Sequence, residues 1–177
     1  MYKYYLGIDP GLNGGIACVY EDKKLHVVDM PTVPTKDNKR QYDINQIAYA
    51  LNLKDAFCMI EQVTAMPGQG SVGTMQMGYG NGVLQTILTL YKIPYAIVHP
   101  KTWMKSFAIQ SPSRIDTPSA GARKKIIKQN IYSVASKLFP DVELITKGGR
   151  LLDGRSDALL IMEYGRRINN AETVQRT

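Results

Sequence analysis

The stretch YYLGIDPG, residues 4–11, decides the fold. An apolar and aromatic run ends at Asp9 and is followed at once by a Pro-Gly pair, which ends a strand. Two more short runs follow after short polar turns, GIACVY at residues 15–20 and LHVVD at residues 25–29. Three short strands joined by short turns predict an antiparallel meander.

Beyond the meander, the chain alternates between strands and helices. Apolar runs predict two further strands, at residues 56–60 and 94–98. Apolar residues at helical spacing predict five helices, at residues 43–53 (with Asp43 as N-cap), about 74–92, 100–107, 119–139 and 152–168. Proline, glycine and polar residues predict loops at 31–40, 67–70 and 111–121. This order predicts an α/β fold, a mixed five-stranded sheet flanked by helices.

The predicted helix at 74–92 contains Gly78, Gly80 and Gly82. Each glycine costs about 1 kcal/mol relative to alanine inside a helix. We therefore expect close backbone approach there, to a partner helix or to DNA. The alternative is a helix that starts only after Gly82.

Length and charge bound the function. The 177 residues predict a single domain, at residues 1–168, with a polar C-terminal tail at 169–177, and 44% hydrophobic residues suffice for a core. Lys and Arg exceed Asp and Glu by seven, and the whole excess lies in residues 99–177. Such one-sided charge favours a polyanion partner, nucleic acid first and an anionic membrane second, or else a solvated basic surface.

Several protein classes are excluded by the sequence. No apolar stretch approaches the roughly 18 residues of a membrane-spanning helix, and the first residues lack an apolar signal core, so we expect a cytoplasmic protein without membrane partners. Cys18 and Cys58 lie in apolar runs without a CxxC motif, which predicts buried free thiols.

Four acidic residues stand where rigid elements end or begin. Asp9 and Glu61 end predicted strands, and Asp153 and Asp157 lie one helical turn apart at the start of the last helix. Converging carboxylates raise one another's pKa, and Mg²⁺ or Mn²⁺ removes that cost. Two such ions cleave phosphodiesters by activating water and stabilising the leaving oxygen. The alternative is structural, since strand-end acids also cap turns and Asp153 suits a helix N-cap.

The chain resembles the RuvC family of Holliday-junction resolvases, and in detail its phage branch. Five motifs, which together span about residues 4–165, carry the resemblance: GIDPG with a following Gly-Gly strand (7–17), IEQV (60–63), GTMQMGYGNGVL (73–84), VHPKTWMK (98–105) and DGRSDALLIMEYG (153–165). The resemblance implies a ribonuclease H-like fold, a homodimer and Mg²⁺-dependent nicking of four-way DNA junctions, with Mn²⁺ as a substitute metal. A phage protein of this kind would act in the host cytoplasm.

The resemblance also implies site residues. Asp9, Glu61 and Asp157 match the catalytic, metal-binding acids. Asp153 is the fourth, although the last two acids are three apart in the bacterial enzymes and four apart here, which leaves open a role as a cap. Among basic residues near the scissile phosphate, Lys105 is the best match, with Lys101 and Lys124 as alternatives.

Further residues are candidates for DNA contact because duplex phosphates require a basic face. The predicted DNA-binding set is Lys101, Arg114, Arg123, Lys124, Lys125 and Lys128, with Gln69 and Ser71 chosen from their place in the glycine loop. Trp103 and Phe107 have two interpretations, as core anchors or as side chains that wedge into an open junction.

The proposed reaction also predicts a homodimer. Two identical nicks are most simply made by two subunits about a two-fold axis, and the helix over 75–90 is the candidate interface, or alternatively a core helix. Two other functions stay open, a related nuclease acting on RNA or other branched DNA and a non-catalytic nucleic-acid-binding module. An actin-like ATPase is disfavoured because it needs two copies of this fold and the chain lacks a GxxxxGK[ST] loop.

Overall fold

The structure of the chain is a computed structural model that describes residues 2–20, 24–65, 68, 70–117 and 119–175. The strands are β1 (Tyr4–Asp9), β2 (Gly15–Tyr20), β3 (Leu25–Asp29), β4 (Thr32–Pro34), β5 (Arg40–Tyr42), β6 (Ala56–Glu61) and β7 (Tyr95–Val98). The helices are α1 (Ile44–Leu51), α2 (Ser71–Leu90), α3 (Pro100–Ser106), α4 (Ala120–Leu138) and α5 (Asp153–Gln175). Asp43 caps α1 as expected, because its side chain accepts a hydrogen bond from the Gln46 amide.

A five-stranded sheet forms the centre, in the order β3-β2-β1-β6-β7. The meander pairs β1 with β2 and β2 with β3 in antiparallel fashion. Strands β1, β6 and β7 run parallel, with helical connections between them. The predicted mixed α/β sheet is therefore confirmed.

The two faces of the sheet carry separate apolar cores. Side chains alternate along β1, so Tyr5 lies on one face and Leu6 and Ile8 on the other. The Tyr5 face packs against α4 and α5, and the Leu6 face packs against α1 and α2. By the same alternation, Asp9 lies on the face that α5 covers.

Residues 31–40, expected to be a loop, contain part of a hairpin, so that prediction is wrong. Strands β4 and β5 pair antiparallel outside the main sheet. Short edge strands tolerate proline, which is why the composition of this segment is misleading. The hairpin is anchored by buried Tyr42, whose hydroxyl donates to the Pro10 carbonyl oxygen over 2.9 Å.

Helix α2 begins at Ser71, earlier than expected, and continues through its glycines, so the alternative start after Gly82 is wrong. Gly80 makes room for a residue of the same chain, since a Cβ there would lie 2.2 Å from the Tyr42 ring. A Cβ at Gly78 or Gly82 would meet nothing within 4 Å. Only one of the three glycines thus serves packing within the chain.

Helix α5 is longer than expected, running to Gln175 rather than ending at residue 168. The segment 169–175 is polar but holds no glycine or proline, so nothing in it stops helix propagation.

The two cysteines are free, with Cys58 buried and Cys18 partly buried. Burial raises the pKa of the Cys18 thiol to about 12. Within the described ranges, none of the helices combines the length and the apolar character needed to cross a membrane.

Candidate metal centre at the edge of the sheet

Asp9 and Glu61 lie side by side at one edge of the sheet. They are the last residues of the parallel strands β1 and β6, and the preceding residues, Ile8 and Ile60, are register partners. Because both strands run the same way, both carboxylates emerge at the same edge and on the face that α5 covers. The predicted juxtaposition of these acids follows from strand order and register.

Helix α5 approaches β1 so closely that any side chain at the point of contact would overlap its backbone. A Cβ at Gly7 would lie 2.2 Å from the Met162 nitrogen and 2.3 Å from the Ala158 carbonyl oxygen. Nearer the acidic edge, a Cβ at Gly154 would lie 2.2 Å from the Asn13 carbonyl oxygen. The helix backbone therefore rests directly on strand and loop backbone, which brings the start of α5 to the two strand-end acids.

The start of α5 contributes the remaining two acids. The Oδ1 atom of Asp157 is buried, and it has no hydrogen-bond partner among the described residues. Asp153 is the first residue of α5 rather than its N-cap, and its Oδ2 accepts a hydrogen bond from the Lys128 ammonium group of α4. This contact makes Asp153 part of the charged cluster.

Three of the acids, Asp9, Glu61 and Asp157, have raised pKa values, and their neighbours in the cluster contribute to each shift. Burial, together with the charge of Asp153, raises the pKa of Asp9 to about 6, although the Gly11 amide and Lys128 lower it. Burial and the charge of Asp9 raise the pKa of Glu61 to about 7. Burial and the charges of the other three acids raise the pKa of Asp157 well above its ordinary value. The apo cluster therefore holds protons at a pH where isolated carboxyls would be ionised.

Trp103 is a neighbour of the site that sequence reasoning missed. Its indole Nε1–H donates to Glu61 Oε1 over 2.8 Å, and the residue is 1% exposed. The core interpretation of Trp103 is confirmed, and a wedge into DNA is excluded by this burial. A buried tryptophan needs an acceptor for its N–H, which is the signal that points from Trp103 to a polar partner. Phe107 is half-buried, and the Arg167 guanidinium lies over its ring at 4.9 Å from the ring centroid.

The donor set fits a hard divalent cation. Among the described residues, no three His, Cys, Asp or Glu side chains are already arranged around a single point as ligands. The unpartnered Oδ1 of Asp157 and the raised pKa values of Asp9 and Glu61 nevertheless mark carboxylates that need a positive charge. Oxygen ligands of this kind are those that Mg²⁺ and Mn²⁺ prefer.

Of the predicted basic residues, the structure brings Lys128 to the acids. Lys101 and Lys105 are exposed on α3, one turn apart, and each is two positions from Trp103. Two positions correspond to about 200° around a helix, so both lysines lie on the side away from Glu61.

The other predicted DNA contacts are spread over the surface near α4 and α2. Lys124 and Lys125 are exposed on α4, Arg114 is exposed before it, and Ser71 is the exposed first residue of α2. Arg123 donates to the Thr117 carbonyl oxygen. Gln69 lies outside the described residues.

Two solved structures of RuvC from Thermus thermophilus are similar to this chain over nearly its whole length. A complex of T. thermophilus RuvC with a Holliday junction substrate has a TM-score of 0.52 at 11% sequence identity, covering 93% of this chain and 96% of that one. A second T. thermophilus RuvC structure has a TM-score of 0.53 at 13% identity, covering 94% and 96%. No protein-family model and no curated protein matches the sequence. The RuvC resemblance is thus confirmed for the fold, and this chain has the ribonuclease H-like architecture of RuvC.

Proposed function

We propose that the protein is a Mg²⁺-dependent, structure-selective endonuclease that resolves four-way DNA junctions by paired nicks. The observation that carries the proposal is that Asp9, Glu61, Asp153 and Asp157 are electrostatic neighbours at one edge of a RuvC-like sheet, where Asp157 has a buried carboxylate oxygen without a hydrogen-bond partner among the described residues. The T. thermophilus RuvC of the same fold was solved with a Holliday junction substrate. That likeness directs the choice of substrate.

The four carboxylates are the proposed metal ligands. Two divalent ions bound there would activate a water molecule and stabilise the leaving oxygen of a phosphodiester. The sheet holds Asp9 and Glu61 rigidly, because both are the terminal residues of paired strands. Asp157 presents its free oxygen from α5, whose position is fixed by the contact between Gly7 and the α5 backbone.

The substrate face is proposed from charge. Lys124 and Lys125 project from the same helix as Lys128, which reaches the acids, so positive charge borders the site. Duplex phosphates are bound largely by such groups, and the affinity falls steeply with salt. Lys105 and Lys101 are proposed as contacts to DNA outside the acid cluster rather than as partners of Glu61, because they lie on the opposite side of α3 from Trp103. Lys105 stays the proposed catalytic lysine, on a path of the bound DNA along that side of α3.

The homodimer is proposed to form through α2. This helix of 20 residues contains no charged residue, and four of its large apolar side chains are exposed: Val72, Met75, Tyr79 and Leu90. Gly78 and Gly82 lie one turn apart on that same side and face open space. A broad, uncharged and apolar helix face with small residues is typical of a surface that packs against another helix. Two copies related by a two-fold axis would place two acid clusters on opposing strands of a junction.

The deciding experiment is a nicking assay on a synthetic four-way junction in Mg²⁺. We expect paired, symmetric nicks from the wild-type protein. Asp9→Asn should abolish cleavage and retain junction binding, whereas the exposed Asp141→Asn should leave cleavage unchanged. Cleavage by Asp9→Asn at the wild-type rate would overturn the metal-site assignment.

The same assay separates the junction from other substrates. Flap, duplex and RNA substrates of equal length are tested beside the junction at matched salt. Preferred cleavage of RNA or flaps would replace junction resolution with another nuclease activity. Tight junction binding without cleavage in Mg²⁺ or Mn²⁺ would identify a non-catalytic binding module.

A further inference from the structure

We propose that Trp103 is a positioning residue for Glu61, holding one carboxylate oxygen so that the other is aimed at the metal. This inference rests on the proposed function, because it assigns Glu61 as a ligand. The observation that carries it is the hydrogen bond of 2.8 Å from the indole Nε1–H to Glu61 Oε1.

The backbone around Trp103 fixes the direction of this bond. Strand β7 runs parallel to β6 and pairs Val98 with Glu61, so the chain turns into α3 directly beside the carboxylate. The His99 side chain caps α3 by accepting from the Lys101 amide. The Ser106 hydroxyl donates to the Trp103 carbonyl oxygen over 2.7 Å. Both contacts stabilise the short helix itself, and its position beside Glu61 follows from the pairing of Val98 with Glu61 and from the packing of Trp103 in the core.

An indole is well suited to this task because it offers one neutral donor. It can hold Oε1 without adding positive charge, so it does not compete with a cation as an ammonium group does. Its ring is buried among the apolar residues that pack against α5, and Trp103 therefore has little freedom to release the carboxylate. Groups that orient a metal ligand by hydrogen bonding typically change metal affinity by 10- to 100-fold when they are removed.

The first test is the affinity of the protein for Mn²⁺, measured by calorimetry without DNA. Trp103→Phe keeps an aromatic ring in the core and removes the donor, so we expect binding about 10-fold weaker. Tyr5→Phe is the matched control, because it removes a hydroxyl that donates to Asn170 from a buried aromatic residue on β1, away from the acids. Circular dichroism and thermal unfolding establish that each variant is folded. Wild-type affinity in folded Trp103→Phe would overturn the proposal.

The second test needs no change at Trp103, so it holds even if Trp103→Phe does not fold. The chain has one tryptophan, and its fluorescence therefore reports on this position alone. Addition of Mg²⁺ to the wild-type protein should change the emission, and Glu61→Ala, which removes the acceptor, should abolish that change. An equal Mg²⁺ response in Glu61→Ala would overturn the proposal. A wild-type protein that binds no divalent ion would instead overturn the proposed function.

Discussion

The Lys128 ammonium group of α4 contacts the Asp153 carboxylate at the start of α5. It also lowers the pKa of Asp9 and of Asp157, so a single positive charge stabilises the ionised form of three of the four acids. In the apo protein, Lys128 thus provides part of the compensation that a divalent cation would provide.

Removal of this lysine should tighten metal binding. The side chains of Lys128 and Asp153 are 37% and 30% exposed, and ion pairs of that kind are worth about 0.2–1 kcal/mol. Lys128→Met should therefore increase the Mn²⁺ affinity by about 1.4- to fivefold, as measured by calorimetry. Lys125→Met removes an exposed charge from the same helix and should change the affinity less. Equal effects of both substitutions would show that the Mn²⁺ affinity depends on the net charge of α4 and not on the contact between Lys128 and Asp153.

Stability should rise on mild acidification when divalent ions are absent. The pKa values of Asp9 and Glu61 are about 6 and about 7 in the folded chain, against ordinary values of 3.8 and 4.5. The folded state therefore binds more protons than the unfolded state between about pH 4.5 and 7, and stability falls as the pH rises through this range. We expect the Tm to increase by a few degrees from pH 8 to pH 5.5, since 1 kcal/mol corresponds to about 2–4 °C in a chain of this size.

Mg²⁺ should flatten that pH profile, because a bound cation stabilises the ionised carboxylates at high pH. The double variant Asp9→Asn, Glu61→Gln lacks both titrating groups and should show a weaker dependence with or without metal. A wild-type Tm that increases with pH over the same range would contradict the raised pKa values.

Gly7→Ala should disrupt the contact between β1 and α5. The added methyl group would meet the backbone of Met162 and Ala158 rather than flexible side chains. We expect a loss of about 1–3 kcal/mol or more in the free energy of unfolding, measured by urea denaturation, together with weaker Mn²⁺ binding. Gly121→Ala in α4 is the control, since its methyl group would lie 3.8 Å from the nearest atom, and it should be neutral or slightly stabilising. A Gly7→Ala variant as stable as the wild type would show that α5 can shift away at no cost.

Met75→Glu should convert a dimer into a monomer. Met75 is 72% exposed on the uncharged face of α2, so a glutamate would place a charge within the proposed interface. Sedimentation equilibrium measures the association, and the Tm of the monomer should be little changed because the site is exposed. Ile115→Glu, at an apolar residue that is 89% exposed outside α2, should remain dimeric. A wild-type protein that is monomeric at high concentration would refute the α2 interface.

The sheet and the acids could be predicted because both depend on local pattern. Short apolar runs mark the strands, and an acid at the end of a parallel strand must emerge at the same edge as its neighbour, as Asp9 and Glu61 do. The hairpin of β4 and β5 could not be predicted in this way. Its pairing depends on the anchoring of Tyr42 to the Pro10 carbonyl oxygen, a contact between residues 32 positions apart.

The partners of the acids were also beyond sequence reasoning. The sequence predicts Lys128 as a DNA contact, and only the packing of α4 against α5 shows that it also reaches Asp153. The motif predicts Lys105 near the scissile phosphate, whereas helix geometry directs Trp103, two residues earlier, toward Glu61. A motif identifies a short helix that belongs near the site, but the rotation of that helix decides which of its side chains arrives there.

Helix α5 contacts β1 at Gly7 and the loop between β1 and β2 at Gly154, and both contacts are formed by main-chain atoms. Main chain is common to every protein, so the spacing of these two elements does not depend on the size of the apolar side chains around them. These contacts therefore constrain the sequence at Gly7 and Gly154 more strongly than at the apolar positions around them.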